Sequence, residues 1–190
     1  MSAPRRVIVG VSGATGTALA VRTLRLLGAA GIERHVVVSP AARRTAAHEM
    51  PDAEFGEHAE AVHNFRDIGA SIASGSYPVD AMVVIPCSVR TLGAIAAGIA
   101  DNLLVRAADV TLKERRPLVL CVRETPLHLG HLRAMVTATE IGAIIAPPMP
   151  AFYAAPESID DVVDHTVART LSLIGVEAPG APPWQGTRSS

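Results

Sequence analysis

The sequence predicts one α/β domain: a doubly wound parallel sheet, Rossmann-like or flavodoxin-like, with helices on both faces. Three observations lead there. Short runs rich in β-branched residues recur at Val7–Val11, His35–Val38, Ala81–Ile85, Leu118–Val122 and Ala143–Ala146. Apart from His35 they are apolar throughout, the pattern of strands covered on both faces. Between them lie segments with helical spacing of apolar residues, and such alternation is the sequence form of βαβ units with right-handed crossovers.

Taken in order, Val7–Val11 opens the sheet and runs into VSGATG, which sets Gly10, Gly13 and Gly16 three residues apart. The helix over Thr15–Ala30 then places Leu19, Thr23, Leu26 and Leu27 on one face. After His35–Val38, Pro40 is suited to the first position of a helix. Asn102–Arg115 and Leu129–Ile141 read as further helices. In the last helix Ser158 is the cap, Asp160 and Asp161 favour the positive end, and Gly175 follows the final apolar residue. Its core stripe is Val163, Val167, Leu171 and Ile174, with Arg169 projecting away from it. The domain is expected over 1–176, followed by a flexible Pro/Gly/Ser-rich tail over 177–190.

Composition narrows the function classes. With 17 basic against 18 acidic residues, nothing points to nucleic acid or an anionic membrane as partner. Hydrophobic residues make up 49% but aromatics only 3%, so aliphatic helix surface is in excess and a homo-oligomer is expected. No apolar run reaches the ~18 residues of a membrane span. Arg5 and Arg6 lead straight into a core strand with no cleavable apolar segment, so no signal peptide is read and the cytoplasm is expected. Cys87 and Cys121 then read as buried, reduced thiols.

Open α/β sheets bind ligands beyond the carboxyl ends of their strands. There this chain has Ser12, Gly13, Ala14 and Thr15, then Ser39, then Ser88, Val89, Arg90 and Thr91, then Arg123 and Glu124, and finally PPMPAFY with Tyr153. Hydroxyls and cations on one rim suit a phosphate, and a glycine loop at a helix N-terminus lets backbone N–H groups approach it. The G-x-x-G-x-x-G spacing also resembles the dinucleotide loop of short-chain dehydrogenases. Two features argue against NAD. The second strand ends in Ser39 where a ribose-binding acid is common, and Lys113, the single lysine of the chain, completes no Tyr-x-x-x-Lys pair.

The motifs DNLLVRAADVTLKERRPLVL, RETPLHLGHL and PAFY, within a similarity spanning residues ~5 to ~175, closely resemble the UbiX-type flavin prenyltransferases. The resemblance implies a dodecamer with active sites at subunit junctions. It implies transfer of a dimethylallyl group from dimethylallyl phosphate to reduced FMN, without a metal. Alkylation of the flavin N5 precedes ring closure, and the prenylated FMN serves UbiD-type decarboxylases. By the same resemblance FMN meets Gly13, Ala14, Thr15, Ser39, the segment Ser88, Val89, Arg90 and Thr91, and Arg123. The prenyl phosphate meets Lys113, Arg123, Glu124, Tyr153 and Arg169, and Glu49 is a further acid of the site.

These residue types suit the chemistry. A phosphate monoester is a poor leaving group, so cations must stabilise the charge that accumulates as the C–O bond breaks. Arginine offers two-point hydrogen bonding and lysine a compact charge, while Glu124 is a candidate proton donor or relay. Two positions depart from the family pattern, which commonly has Ser at Thr15 and Lys at Pro40. His128 and His131, three apart, suit helix capping and packing better than a metal pair, for lack of a third ligand. An alternative function is an FMN-dependent cysteine decarboxylase, whose characteristic Asn is replaced here by Pro150. Another is a non-catalytic FMN-binding partner of a decarboxylase.

Overall fold

The computed structural model describes residues 5–179; most of the expected tail, from residue 180 onward, lies outside the described residues. Six strands form one all-parallel sheet: β1 Arg6–Val11, β2 Glu33–Val38, β3 Ala61–His63, β4 Ala81–Cys87, β5 Leu118–Val122 and β6 Ile144–Ile145, in the order β3-β2-β1-β4-β5-β6. The helices are α1 Thr17–Ala29, α2 Pro40–Glu49, α3 Val89–Ala97, α4 Leu103–Lys113, α5 Leu129–Glu140 and α6 Ile159–Ser172.

Alternation along β1 sorts the two cores. Val7, Val9 and Val11 face α1 and α6, where Ala20, Leu24, Leu27, Val167 and Leu171 pack. Ile8 faces the opposite layer of α3, α4 and α5, with Met82, Leu92, Leu104 and Ala138. Gly10 belongs to that second face, and a side chain there would press on Leu104 and Met82 at 3.2 Å. The expected α1 stripe is buried at Thr23, Leu26 and Leu27, and the buried face is wider than that stripe. Ala20, Leu24 and Leu27 are wholly buried, while Leu19 is only partly so, because α6 as well as the sheet packs on this helix.

The edges are where sequence reading falls short. β3 was not expected: three residues of AVH, half-buried to exposed, carry too little apolar signal. It pairs with β2 in register His35↔Ala61 to Val37↔His63. The approach to β3 is fastened by the Glu60 carboxylate, which accepts from the backbone N–H of Arg34 at 2.6 Å and pairs with its guanidinium. At the other edge β6 is only two residues long. α6 begins as expected, with Ser158 and Asp161 forming a reciprocal capping box. Cys87 and Cys121 are free and buried. No described helix is long and apolar enough to cross a membrane.

Two consequences can be measured. Leu24→Ala opens a cavity between β1, α1 and α6, so urea unfolding at fixed protein concentration is expected to show a loss of about 2–5 kcal/mol. Pairing with Arg34 lowers the Glu60 carboxyl to about 2. A depressed folded-state pKa contributes stability that is full above the ordinary carboxylate range and lost as pH falls towards that value. Removing the charge with Glu60→Gln is therefore expected to flatten the wild-type loss of stability between about pH 4.5 and 2, followed by denaturant midpoints across that window.

Candidate functional site

β1 and β4 are neighbours in the sheet, yet the chain leaves them in opposite directions: β1 is followed by α1 on one face, β4 by α3 on the other. The gap that opens beyond their carboxyl ends is where such sheets hold ligands. A cavity of about 580 Å³ lies there, within the usual range for a small-molecule site.

The two loops that border it are joined by Ser12, a buried residue directly after β1. The Ser12 hydroxyl donates to the Pro86 carbonyl at 3.0 Å and accepts from the Ser88 N–H at 2.7 Å. Its own N–H donates to the same carbonyl at 3.1 Å. The loop after β1 is thus pinned to the loop after β4. Beside it Gly13 lies so close to α2 that a Cβ would sit 2.4 Å from the Ala41 Cβ. Only glycine lets the first loop and the start of α2 touch.

Two helix N-termini open into the cavity. Ser39 caps α2, its Oγ accepting from Ala42 N at 3.0 Å, and Ser88 caps α3, accepting from Thr91 N at 3.4 Å. Each carries roughly half a positive charge from its aligned peptides. Gly13, Ala14, Ser39, Pro40, Ala41, Arg44, Phe65, Ser88, Val89, Arg90, Thr91, Arg123 and Glu124 form the wall. Of the nine positions expected to hold a flavin, eight therefore line one cavity.

Thr15 is the exception, and it exposes a correction about the glycine loop. The N-terminus of α1 does not face a ligand with free donors. The Glu49 carboxylate, from the far end of α2, accepts from the N–H groups of Gly16 at 3.0 Å and Thr17 at 2.8 Å, and from the Thr15 hydroxyl. Burial disfavours its charge, but the bonds from Thr15, Thr17 and Gly16 outweigh that and hold the carboxyl below the usual carboxylate range. An internal anion fills the place where a dinucleotide phosphate sits in other sheets of this order.

The residues expected around the donor phosphate are not gathered by one chain. Arg123 and Glu124 stand on the wall of the flavin-sized cavity, with Glu124 accepting from Thr125 N at 2.9 Å. Tyr153 and Arg169 line a separate cavity of about 740 Å³ between the PPMPAFY loop and α6. There the Tyr153 hydroxyl lies 3.3 Å from His165 Nε2 and Arg169 donates to Ser172 Oγ at 2.8 Å. Lys113 lies further off still. It ends α4 just before β5 starts, so it sits at the amino-terminal edge of the sheet, opposite the cavity, paired with Glu114. The motif that holds Lys113 is matched, but within one chain the helix carries it away from the rim.

Sequence reading missed Ser12 as the staple, and Ala41, Arg44 and Phe65 as wall residues; Pro40, the departure from the family pattern expected near the flavin phosphate, does line the wall. Helical spacing from Pro40, four residues earlier, offered a signal for Arg44; nothing local marked Phe65. His128 caps α5, accepting from Gly130 N at 3.0 Å, and its ring stacks on His131 with centroids 3.5 Å apart, so the capping reading holds.

A switch-point cavity with two capped helix N-termini and no acid at the end of β2 defines a mononucleotide-binding α/β protein. The family model described as Flavoprotein matches residues 1–171. The flavin prenyltransferase UbiX of Salmonella typhimurium is 53% identical over 178 residues, covering 92% of this chain and 94% of the relative. The chain belongs to the UbiX flavin prenyltransferase family. Among solved structures, AnUbiX (PadA1) in complex with FMN and dimethylallyl pyrophosphate superposes with a TM-score of 0.94 at 43% identity, covering 97% of this chain and 99% of that one. A dodecameric FMN-dependent UbiX-like decarboxylase from Escherichia coli O157:H7 gives 0.91 at 46% identity, over 96% and 100%.

The staple is directly testable. Ser12→Ala leaves the half-buried Ser88 N–H without its acceptor, which is expected to cost about 1 kcal/mol of stability in urea unfolding and to weaken flavin binding measured by fluorescence quenching.

Proposed function

We propose that the protein joins a dimethylallyl group from a dimethylallyl phosphate ester to reduced FMN, forming prenylated FMN for delivery to a UbiD-type decarboxylase in the cytoplasm. The observation that carries this reading is the single cavity at the β1/β4 switch point, lined by eight of the expected flavin residues. The fit to FMN is chemical. α2 and α3 present amide donors and positive helix ends to a phosphate, Ser39 and Ser88 fix those ends, and Gly13 leaves room for backbone approach. When bound, reduced FMN supplies the nucleophilic N5 and the adjacent ring carbon that accept the prenyl group.

The chain's own contribution is positioning and charge. Arg123 extends from the end of β5 to the cavity wall, next to Glu124, where a cation offsets negative charge that builds on a departing phosphate. Glu124 is placed to hold or relay a proton at its carboxylate. Tyr153, oriented by His165, and Arg169 form a second phosphate-suited group on the other cavity.

Bringing those two groups together is the task we assign to a homo-oligomer. Leu129, Leu132 and Val136 stand on one exposed side of α5, and Met149 and Phe152 on the PPMPAFY loop are 71% and 79% exposed. Apolar surface of that extent suits burial against further copies of the chain. A neighbouring copy would then supply the residues that one chain keeps apart, and Lys113 joins the site only if the assembly brings it there.

The cysteine-decarboxylase alternative is disfavoured by Pro150 on the rim loop, which has no side-chain amide. Mass spectrometry of flavin extracted after incubation with reduced FMN and dimethylallyl phosphate is expected to show one added prenyl group; an unchanged flavin mass would sink the proposal. In the same assay Arg169→Ala and Glu124→Gln are each expected to lower turnover at least about tenfold while FMN remains bound. Wild-type rates in both would remove these residues from the donor site.

A further inference from the structure

We infer that Arg44, a residue to which the sequence motifs give no role, is the ionic partner of the flavin phosphate and makes the cavity selective for FMN over unphosphorylated flavin. The inference rests on the FMN reading above and adds the residue that recognises the phosphate.

The start of α2 is short of free donors. A phosphate monoester approaches neutral pH as nearly a dianion with three acceptor oxygens. At the start of α2, Ser39 N already donates to the Val11 carbonyl at 2.9 Å. Pro40 has no N–H, and Ala42 N is taken by Ser39 Oγ at 3.0 Å. Ala41 is left as the donor of that first turn. α1 contributes nothing, since the Glu49 carboxylate occupies its end. The backbone on this side of the cavity is therefore poor in donors for the charge it must hold, and a side-chain cation is needed.

Three arginines line the cavity, and their surroundings differ. Arg90 is paired with Asp101 at 3.2 Å, and Arg123 stands next to Glu124 in sequence and on the same wall. Arg44 has no ion pair or side-chain hydrogen bond among the described residues. It is exposed, and it lies four residues after Pro40, hence on the same face of α2 as the first turn. Long helical side chains lean towards the helix N-terminus, which directs this guanidinium to the end of α2 where the phosphate-suited donors are. A guanidinium there offers a two-point bond that replaces what Pro40 withholds.

The test compares two ligands on the full-length protein, FMN and riboflavin, which differ only in the phosphate. Affinities of wild type, Arg44→Gln and Arg44→Lys are measured by flavin fluorescence quenching at several salt concentrations, with apo thermal midpoints as a check on folding. Wild type should prefer FMN, and its FMN affinity should fall with salt. Arg44→Gln should weaken FMN about tenfold, leave riboflavin and the thermal midpoint unchanged, and flatten the salt dependence. Arg44→Lys should recover part of the loss. Equal FMN affinity in wild type and Arg44→Gln, or an equal loss for FMN and riboflavin, would overturn the role of Arg44 while leaving the FMN reading intact. A wild type that does not prefer FMN would instead overturn the reading on which the inference rests.

Discussion

The site depends on a fixed gap between two neighbouring strands whose chains diverge. Ser12 sets that gap. Its hydroxyl and N–H both reach Pro86, and its oxygen also receives the Ser88 N–H. Because the residue is buried, these bonds have no competing water, and their loss would leave buried groups unpaired. Gly13 adds the second constraint: it allows the first loop to lie against Ala41, so that α2 starts beside the gap and not above it. From these two contacts follow the positions of the Ser39 and Ser88 caps, and from the caps the direction of two helix ends.

Charge is distributed with the same economy. Three helices begin near the rim of β1, β2 and β4, and an anionic ligand would be drawn to all of them. Glu49 removes one by giving α1 a carboxylate of its own, held in its charged form by Thr15, Gly16 and Thr17. What remains open is the pair α2 and α3, which is room for one phosphate and argues for a mononucleotide over a dinucleotide. The carboxylate that closes α1 comes from the far end of α2, so the same contact also ties the two helices together.

The second group, which we propose binds the donor phosphate, has a different character. Tyr153 and Arg169 sit on a loop and a helix flanking the short strand β6, against a surface whose apolar residues have no cover among the described residues. A flavin cavity can be built at a switch point by one sheet alone. Under the proposed function, Tyr153 and Arg169 would reach the same substrate from another copy of the chain, and an oligomer of identical chains is the simplest source.

Much of this was legible in the sequence. The fully apolar runs identify the sheet's central strands because burial on both faces leaves no polar period, and Ser158 marks α6 because a cap acts within four residues. The cavity wall at the switch point was legible for the same reason: it follows strand ends, which are local. What sequence could not supply was everything fixed by partners distant along the chain. β3 exists only because β2 offers it an edge, Glu49 is a cap only because α2 returns to α1, and Ser12 is a staple only once β1 and β4 are side by side. Lys113 makes the point in reverse. A matched motif gives a residue its neighbours in sequence, but the direction of α4 decides which end of the sheet it reaches, and direction is a property of the packed fold.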